Sequence, residues 1–163
     1  PDTLKLFITW TFGSLSSVGW EQMSVMAPVI ACGILTALLL QKQLNILLLG
    51  KNYANGLGVS VPRLRLWIIL ATALLAGTST AFTGPIAFIG ITMPHVARGL
   101  FGSPNHRIIL PASMLCGAIT LLVCDLISQL PGMQGTLPIN AVTALFGSPI
   151  IVWIILRNSY INK

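Results

Sequence analysis

The stretch from Gly84 to Pro111, GPIAFIGITMPHVARGLFGSPNHRIILP, decides the fold. It places four glycines, four prolines, two histidines and two arginines inside a chain that otherwise avoids polar residues. At membrane depth, residues that interrupt a helix are tolerated only where surrounding protein or a cavity satisfies the freed backbone groups. Such interruptions commonly serve a transport pathway, a packing contact or a bend. The stretch therefore indicates helices that pack closely within a membrane.

The composition of the whole chain requires a membrane environment. Of its 163 residues, 55% are hydrophobic and 7% are charged, and the mean hydropathy is +0.87. A soluble domain carries about 25% charged residues, so this chain lacks the polar surface that a globule in water needs. Its net charge of +6 comes without the basic run or the basic and aromatic stripe typical of nucleic-acid binding. The sequence predicts an all-α polytopic membrane protein, embedded in a lipid bilayer and without a nucleic-acid partner.

Apolar runs along the chain predict a transmembrane helix bundle of about five spans. A span needs about 20 residues, or fewer where protein shields part of the helix. The final apolar region is divided by Gly147-Ser148-Pro149, so the sequence predicts a re-entrant half-helix over 137–146 before a short last span. Residues 1–20 are expected to form an outer segment. The predicted spans are 22–40, 64–83, 86–100, 108–130 and 149–157.

The distribution of charge gives this topology a direction. If the connection after the first span is cytoplasmic and the spans alternate, eight of the nine basic residues lie inside and only Lys5 lies outside. The acidic residues Asp2, Glu21 and Asp125 lie at or toward the outside. An excess of Lys and Arg on the cytoplasmic side is the usual orientation signal of membrane proteins. The inside residues are Lys42, Lys51, Arg63, Arg65, Arg98, Arg107, Arg157 and Lys163.

The predicted cytoplasmic connection, over 44–60, is longer than an ordinary link. Helix–helix connections usually have about 2–8 residues, whereas this one contains three glycines and a short amphipathic stretch around Tyr53. The pattern predicts two short helices at the membrane surface that press into the cleft of a partner; an ordinary connection is the alternative. Gly50-Lys51 is not a phosphate-binding loop, because Asn45 and Asn52 replace its first glycine and its serine or threonine.

Ionisable residues near or within the spans form two groups. His95 and Arg98 lie one turn apart, and His106 and Arg107 lie across the next short loop. Without a carboxylate or thiolate nearby these four do not form a metal site, and we interpret them as topology anchors at helix ends. Asp125 is the only acid within a predicted span. An intramembrane carboxylate is a functional candidate, and here structural hydrogen bonding is favoured over proton coupling.

The segment from Thr136 to Pro149, TLPINAVTALFGSP, predicts a proline-initiated half-helix that ends at a Gly-Ser-Pro break. Half-helices at membrane depth line a cavity or are buried in protein. Asn140, Thr143 and Gly147 are the candidate pathway residues, and packing within the bundle is an equal alternative. The other residues expected to have structural roles are Gly84, Pro85, Pro94, Pro138 and Pro149.

These segments together resemble one known family. The series GPIAFIGITMPHVARGLFG, NHRIILP, a span containing Asp125, and LPINAVTALFGSPIIVWIIL is similar to the FecCD family, also called the BtuC-like family. The similarity continues upstream into LNILLLGKNYANGLGV and follows the family's order and spacing across nearly the whole chain. It implies the permease of an ABC importer for iron–siderophore complexes, haem or vitamin B12.

The resemblance implies a larger assembly, of which residues 1–163 are the C-terminal half of one permease. The expected partners are a second permease subunit, cytoplasmic ABC ATPase subunits that bind ATP, and an extracytoplasmic substrate-binding protein, at a bacterial inner membrane. The chain itself is expected to bind no cofactor or metal and to catalyse no reaction. The 137–146 helix would lie beside the pathway. The residues that the resemblance assigns to ATPase coupling are Leu49, Gly50, Lys51, Asn52, Tyr53, Ala54, Leu57, Gly58 and Val59.

The chain also departs from the family pattern. Lys51 stands where the family often has an acidic residue, and Gln129 stands where relatives can carry an arginine that helps to dock the binding protein. Thr136 and Asn140 replace a common acid and a common glycine. These differences alter the charge of the contacts with partners, and they leave the transported ligand undecided.

Three other functions fit the sequence less well. An ion-coupled secondary transporter that uses Asp125 is the main alternative, although it predicts more charge within the spans than one acid. A membrane scaffold would leave the interrupted helices unexplained. A membrane enzyme would need a catalytic set, and the sequence contains no Ser/His/Asp arrangement, HExxH motif or cofactor loop.

Overall fold

The computed structural model describes residues 2–130 and 137–161, with side chains described as far as Arg157. Within this part every regular element is a helix, which confirms the predicted all-α fold class. Thr136 and Lys163, singled out above, lie outside the described residues. The helices are α1 (Asp2–Phe12), α2 (Trp20–Leu47), α3 (Lys51–Gly56), α4 (Val61–Thr83), α5 (Phe88–Phe101), α6 (His106–Ser128) and α7 (Ile139–Ile161).

Four of these helices are long and apolar enough to cross a membrane. They are α2, α4, α6 and the part of α7 from Ile139 to Arg157. In each of them at most 22% of the most apolar window is buried within the chain, so most apolar side chains face lipid or further protein. α2 packs along α4, α5 packs along α6, and α7 packs against both α5 and α6. The chain is therefore part of an integral membrane protein, as its composition predicts.

The predicted span 86–100 forms a shorter helix than a full crossing needs. α5 has 14 residues, which corresponds to a rise of about 21 Å, less than the ~30 Å of the hydrocarbon core. It begins late because Gly84 ends α4 with φ 79° and residues 84–87 are irregular. Pro94 lies inside α5 without interrupting it. The place of α5 in the bundle thus depends on its packing against α6 and α7 rather than on its length.

The break predicted at Gly147-Ser148-Pro149 is absent, because α7 is one continuous helix with Pro149 inside it. The predictions of a separate half-helix over 137–146 and a separate span over 149–157 were therefore wrong. A proline removes one backbone hydrogen bond, and membrane helices tolerate this loss where neighbouring groups or local adjustments satisfy the freed carbonyl. Gly147 serves close packing instead, since a Cβ on it would lie 2.8 Å from the Cβ of Phe88 in α5.

The most buried cluster lies where α7 begins. Cys124 of α6 packs there with Ile139 and Val142 of α7, and Leu15 and Ile86 cover them. Pro138 precedes the helix, as predicted, and its carbonyl accepts the N–H groups of the residues three and four positions later. This cluster joins the loop after α1, the turn before α5 and the C-terminal half of α6. It defines one end of the bundle, called here the α1 end.

The directions of the helices separate the charges between the two ends. Lys5 and the acids Asp2, Glu21 and Asp125 belong to the α1 end. The opposite end, called here the α3 end, is the end that the positive-inside rule assigns to the cytoplasm. A continuous α7 carries Arg157 to this end without any re-entrant segment. The described basic residues at the α3 end are Lys42, Lys51, Arg63, Arg65, Arg98, Arg107 and Arg157.

Candidate functional site

α3 is held in place by a glycine at each end. Gly50 precedes it with φ 105° and ψ 155°, a backbone region essentially restricted to glycine, and its carbonyl accepts the N–H of Ala54 at 3.0 Å. Gly58 follows it with φ 80°. The N–H of Gly58 donates to Asn55 at 3.1 Å, and the N–H of Val59 donates to Ala54 at 3.0 Å. This pair of bonds is a Schellman motif, which favours glycine at that position.

The connection contains one short helix, whereas the sequence predicted two. Residues 44–47 continue α2, and Leu48 and Leu49 form the turn that follows. α2 runs to 28 residues because neither Pro28 nor Gly33 ends it, and the next glycine or proline along the chain is Gly50. The first of the two predicted short helices is therefore the end of a membrane span, and α3 is attached directly to that span.

The side chains around α3 form an exposed surface at the α3 end. Leu49, Tyr53 and Leu57 are 64%, 56% and 56% exposed, and Lys51 and Asn52 beside them are also exposed. We call these five residues the coupling surface. Ala54, in contrast, is fully buried. Apolar side chains exposed together on a small structured element are typical of a contact surface for another protein.

A polar cluster next to this surface ties α2 to α6. The Nδ2 group of Asn45, in α2, donates to Oδ1 of Asn105 at 2.7 Å. The Oδ1 atom of Asn45 accepts the backbone N–H of His106 at 2.8 Å and lies 2.8 Å from His106 Nδ1. Asn105 also caps α6, because its Oδ1 accepts the N–H of Arg107 at 3.0 Å. We call Asn45, Asn105 and His106 the clasp.

The clasp has one consistent arrangement of donors and acceptors. Reversing the Asn45 amide would place its NH₂ group against the backbone N–H of His106, so Oδ1 must face that residue. The proton of the His106 ring then lies on Nδ1, where it donates to Asn45. The α6 N-terminus is thereby capped by a side chain of another helix as well as by its own Asn105. Since Asn45 lies one turn before the turn leading to α3, the clasp links α3 to α6.

Sequence reasoning missed Asn45 and Asn105 as functional positions. Asn105 carried a local signal, because an asparagine before an apolar helical run is a typical N-cap. Asn45 carried none, since its partners lie 60 and 61 residues away along the chain. Three of the predicted anchors occupy the same end: Arg98 and Arg107 are exposed there, and Arg98 shares a shallow cavity with His106. His95 is exposed near the middle of α5.

The bend at Gly84 and Pro85 is a packing point at the α1 end. A Cβ on Gly84 would overlap the backbone carbonyl oxygen of Trp10 in α1. The indole of Trp10 donates to the Ala81 carbonyl at 3.3 Å, and the N–H of Ser14 donates to the Thr83 carbonyl at 2.8 Å. The glycine thus allows α1 and the loop after it to lie directly against the turn between α4 and α5.

Asp125 lies at the α1 end and makes a local hydrogen bond. Its Oδ2 atom accepts Nε2 of Gln129 at 2.7 Å, one turn later in the chain. The carboxylate therefore makes a structural hydrogen bond with Gln129, which follows the last residue of α6. The same two residues line a cavity of about 230 Å³ together with Ser14 and Ser16. The position favours the structural role over proton coupling across the membrane.

The three candidate pathway residues lie on α7 but in different environments. Thr143 is 1% exposed, and Gly147 is buried against α5. Because burial within one chain persists in any larger assembly, these two pack the bundle, which was the equal alternative. Asn140 is partly exposed, and its Oδ1 accepts the N–H of Ala87 at 3.4 Å. It remains a predicted pathway residue.

The comparisons with known proteins agree with this architecture. The sequence model of the FecCD transport family matches residues 1–157. The vitamin B12 import system permease protein BtuC of Vibrio cholerae is 41% identical over 158 residues, which are 95% of this chain and 46% of that protein. The Fe(3+) dicitrate transport system permease protein FecC of Escherichia coli is 40% identical over 148 residues, 91% of this chain and 44% of that protein.

A solved structure is similar to the chain in fold and in sequence. It is an inward-facing conformation of an ABC transporter of the metal-chelate type, with a TM-score of 0.86 and 30% sequence identity. The similarity covers 94% of this chain and 49% of that one. The chain thus spans about half the length of the relatives it matches. This helical membrane chain, with its coupling surface and its glycine-supported packing, belongs to the FecCD transport family.

Proposed function

We propose that the chain is the C-terminal half of a permease subunit of an ATP-driven importer in a bacterial inner membrane. The cargo is a metal chelate or related macrocycle, such as an iron–siderophore complex, haem or cobalamin. Two permease subunits form the pathway, cytoplasmic ATPase subunits supply the energy, and an extracytoplasmic protein delivers the cargo. The permease itself binds no cofactor, and ATP binds to its partner.

The coupling surface is the observation that carries this proposal. It lies at the basic end of the bundle, it is attached to a membrane span on each side, and each of its apolar side chains is more than half exposed. Relatives with 40% and 41% identity are permease proteins of the dicitrate and vitamin B12 systems. A rigid exposed helix between two spans suits the transfer of motion from an ATPase into a membrane.

The mechanism follows from the connections of α3. ATP binding and hydrolysis on the partner displace α3, and the backbone hydrogen bonds that close both of its ends keep it one unit. The displacement passes into α2 and α4 through the backbone, and into α6 through the clasp. The helices then rock so that the pathway opens to one side of the membrane at a time. Binding energy, rather than covalent chemistry on this chain, drives each change.

Crosslinking between the permease and the ATPase tests this function. Cysteine replaces Asn52 in the complete permease, in a background where Cys32, Cys116 and Cys124 are substituted, and a second cysteine is placed in the ATPase cleft. The expected result is a crosslink whose yield changes with ATP. Two controls are expected not to crosslink, namely Ala54→Cys, which is buried in the same helix, and Ser16→Cys at the α1 end.

The outcome separates the importer from the main alternative. If Asn52→Cys reacts with cytoplasmic thiol reagents but gives no crosslink to any cysteine in the cleft, the ATPase does not dock on α3. Transport driven by an ion gradient and abolished by Asp125→Asn would then identify a secondary transporter. If the Asn52 crosslink forms and Asp125→Asn transports normally, the importer mechanism stands.

A further inference from the structure

The charge around α3 has a single sign. The sequence contains no Asp or Glu between residues 22 and 124, and this interval includes α3 and the adjoining ends of α2 and α4. The acidic residues of the described chain belong to the α1 end. The cations beside the coupling surface therefore have no carboxylate of this stretch to neutralise them.

Two of these cations share one depression between α3 and α4. Lys51 and Arg65, both exposed, line a shallow cavity of about 350 Å³, together with Asn55, Val61 and Pro62. Lys51 and Asn55 are four residues apart in α3, so their side chains lie on the same side of that helix. Two like charges on one small cavity repel each other, and an anion seated between them relieves that repulsion.

The chemistry of the cavity suits a carboxylate. The guanidinium group of Arg65 can donate two parallel hydrogen bonds to a carboxylate, and the ammonium group of Lys51 adds a compact positive charge. The amide of Asn55 supplies a further donor, and Val61 and Pro62 form an apolar side. Of the apolar residues of the coupling surface, Tyr53 lies in the same short helix, and Leu49 and Leu57 flank it.

A protein surface fits this region better than a lipid surface. Inserting the apolar side chains of the coupling surface into a bilayer would also desolvate the exposed amides of Asn52 and Asn55, which lie on the six-residue α3. Lipid chains offer those amides no hydrogen-bond partner. A protein surface can bury the apolar side chains, pair the amides and supply the carboxylate together.

We propose that the ATPase presents an aspartate or glutamate at the edge of its cleft to the cavity formed by Lys51 and Arg65. This proposal rests on the proposed function, and it specifies the sign of the charge that recognises α3. The contact selects an ATPase with an acidic edge over one with a basic edge. It also makes the affinity between permease and ATPase fall as the salt concentration rises.

The test measures binding of the purified ATPase to the complete permease in nanodiscs of phosphatidylcholine alone, which carry no net lipid charge. Lys51→Glu and Arg65→Glu are each expected to weaken binding about tenfold at low salt, equivalent to about 1.4 kcal/mol, and less at high salt. Lys51→Gln is expected to have a smaller effect.

Arg157→Glu is the matched control, because that residue is basic and at the same end but belongs to α7. An ATPase in which the paired acid is replaced by lysine is expected to bind the Lys51→Glu permease again.

Two results would overturn the proposal. If Lys51→Glu and Arg65→Glu bind the ATPase like the unchanged permease while the Asn52 crosslink still forms, α3 docks without this carboxylate. If Lys51→Glu and Arg65→Glu weaken ATPase binding only in nanodiscs that contain anionic lipid, the cavity binds lipid headgroups instead. Failure of the Asn52 crosslink itself would count against the proposed function, and the two failures are therefore distinguishable.

Discussion

Replacing Gly147 by alanine tests the contact between α5 and α7 that holds the C-terminal helix in the bundle. The added Cβ would lie 2.8 Å from Phe88 Cβ, whereas ordinary contacts begin at 3.4 Å. The shortfall is 3.4 − 2.8 = 0.6 Å. Phe88 Cβ is attached directly to the backbone and cannot rotate away, so the two helices must separate by roughly this amount over the length of the contact.

The expected cost follows from two opposing terms. Overpacking a close contact costs about 1–3 kcal/mol, and alanine is favoured over glycine in a helix interior by about 0.5–1 kcal/mol. We therefore expect Gly147→Ala to destabilise the protein by about 0.5–2 kcal/mol. Gly90→Ala, in α5, is the matched control, because nothing lies within 4 Å of its added Cβ. It should be neutral or slightly stabilising.

Thermal unfolding of the complete permease in detergent, followed by loss of monodispersity, measures both variants. A difference of about 2–4 °C is expected for each kcal/mol. Gly33→Ala provides an intermediate case: its Cβ also meets a neighbour at 2.8 Å, but that neighbour is the end of the Leu75 side chain, which can change rotamer. If Gly147→Ala melts at the same temperature as Gly90→Ala, α5 and α7 do not approach each other as described, and the explanation for the continuous α7 is wrong.

Three further substitutions test the ends of the bundle. Gly50→Ala forces alanine into a conformation that costs about 1–3 kcal/mol, and it should lower ATP-dependent crosslinking at Asn52. Gly56→Ala should not, because Gly56 is helical and its added Cβ meets no atom within 4 Å; equal crosslinking yields from the two variants would show that the Gly50 turn is dispensable. Asn45→Ala removes the centre of the clasp and should lower the stability of the permease, measured by thermal unfolding, by about 1–2 kcal/mol. Gln43→Ala, at an exposed position of the same helix, should change stability by less than about 0.5 kcal/mol, and equal melting temperatures of the two variants would contradict the clasp. Gly84→Ala adds backbone strain of about 1–3 kcal/mol to an overlap with the α1 backbone, so expression of folded permease should fall sharply. Normal expression would show that α1 does not lie against this turn.

Most of the helices were predictable because their signals are local. An apolar run long enough to span a bilayer must form a helix, since lipid offers no partner for backbone groups. The excess of Lys and Arg at alternate connections then indicates which connections lie on the cytoplasmic side, and thereby the direction in which each helix crosses the membrane. The glycines around α3 were predictable for a similar reason, because each turn places its own demand on φ.

The errors arose where one residue type has several possible effects. Gly147 and Pro149 together indicated a break, but a glycine also permits close packing, and a membrane helix can continue through a proline. Which effect applies depends on Phe88, which lies on another helix. The extra short helix predicted before α3 was wrong for a simpler reason, because the apolar residues before Gly50 belong to the preceding span.

The sequence by itself determined that the chain is helical, lies in a membrane, belongs with the FecCD transport family and has a short surface element between two spans at its basic end. These properties depend on composition, on the spacing of glycines and on motifs that are contiguous in the chain. Only the tertiary structure decided that Asn45 caps α6 beside Asn105 and His106, that Lys51 and Arg65 share one cavity, and that Thr143 and Gly147 pack inside the bundle. Such contacts join residues that are distant along the chain, and only the packing of helices determines which of them meet.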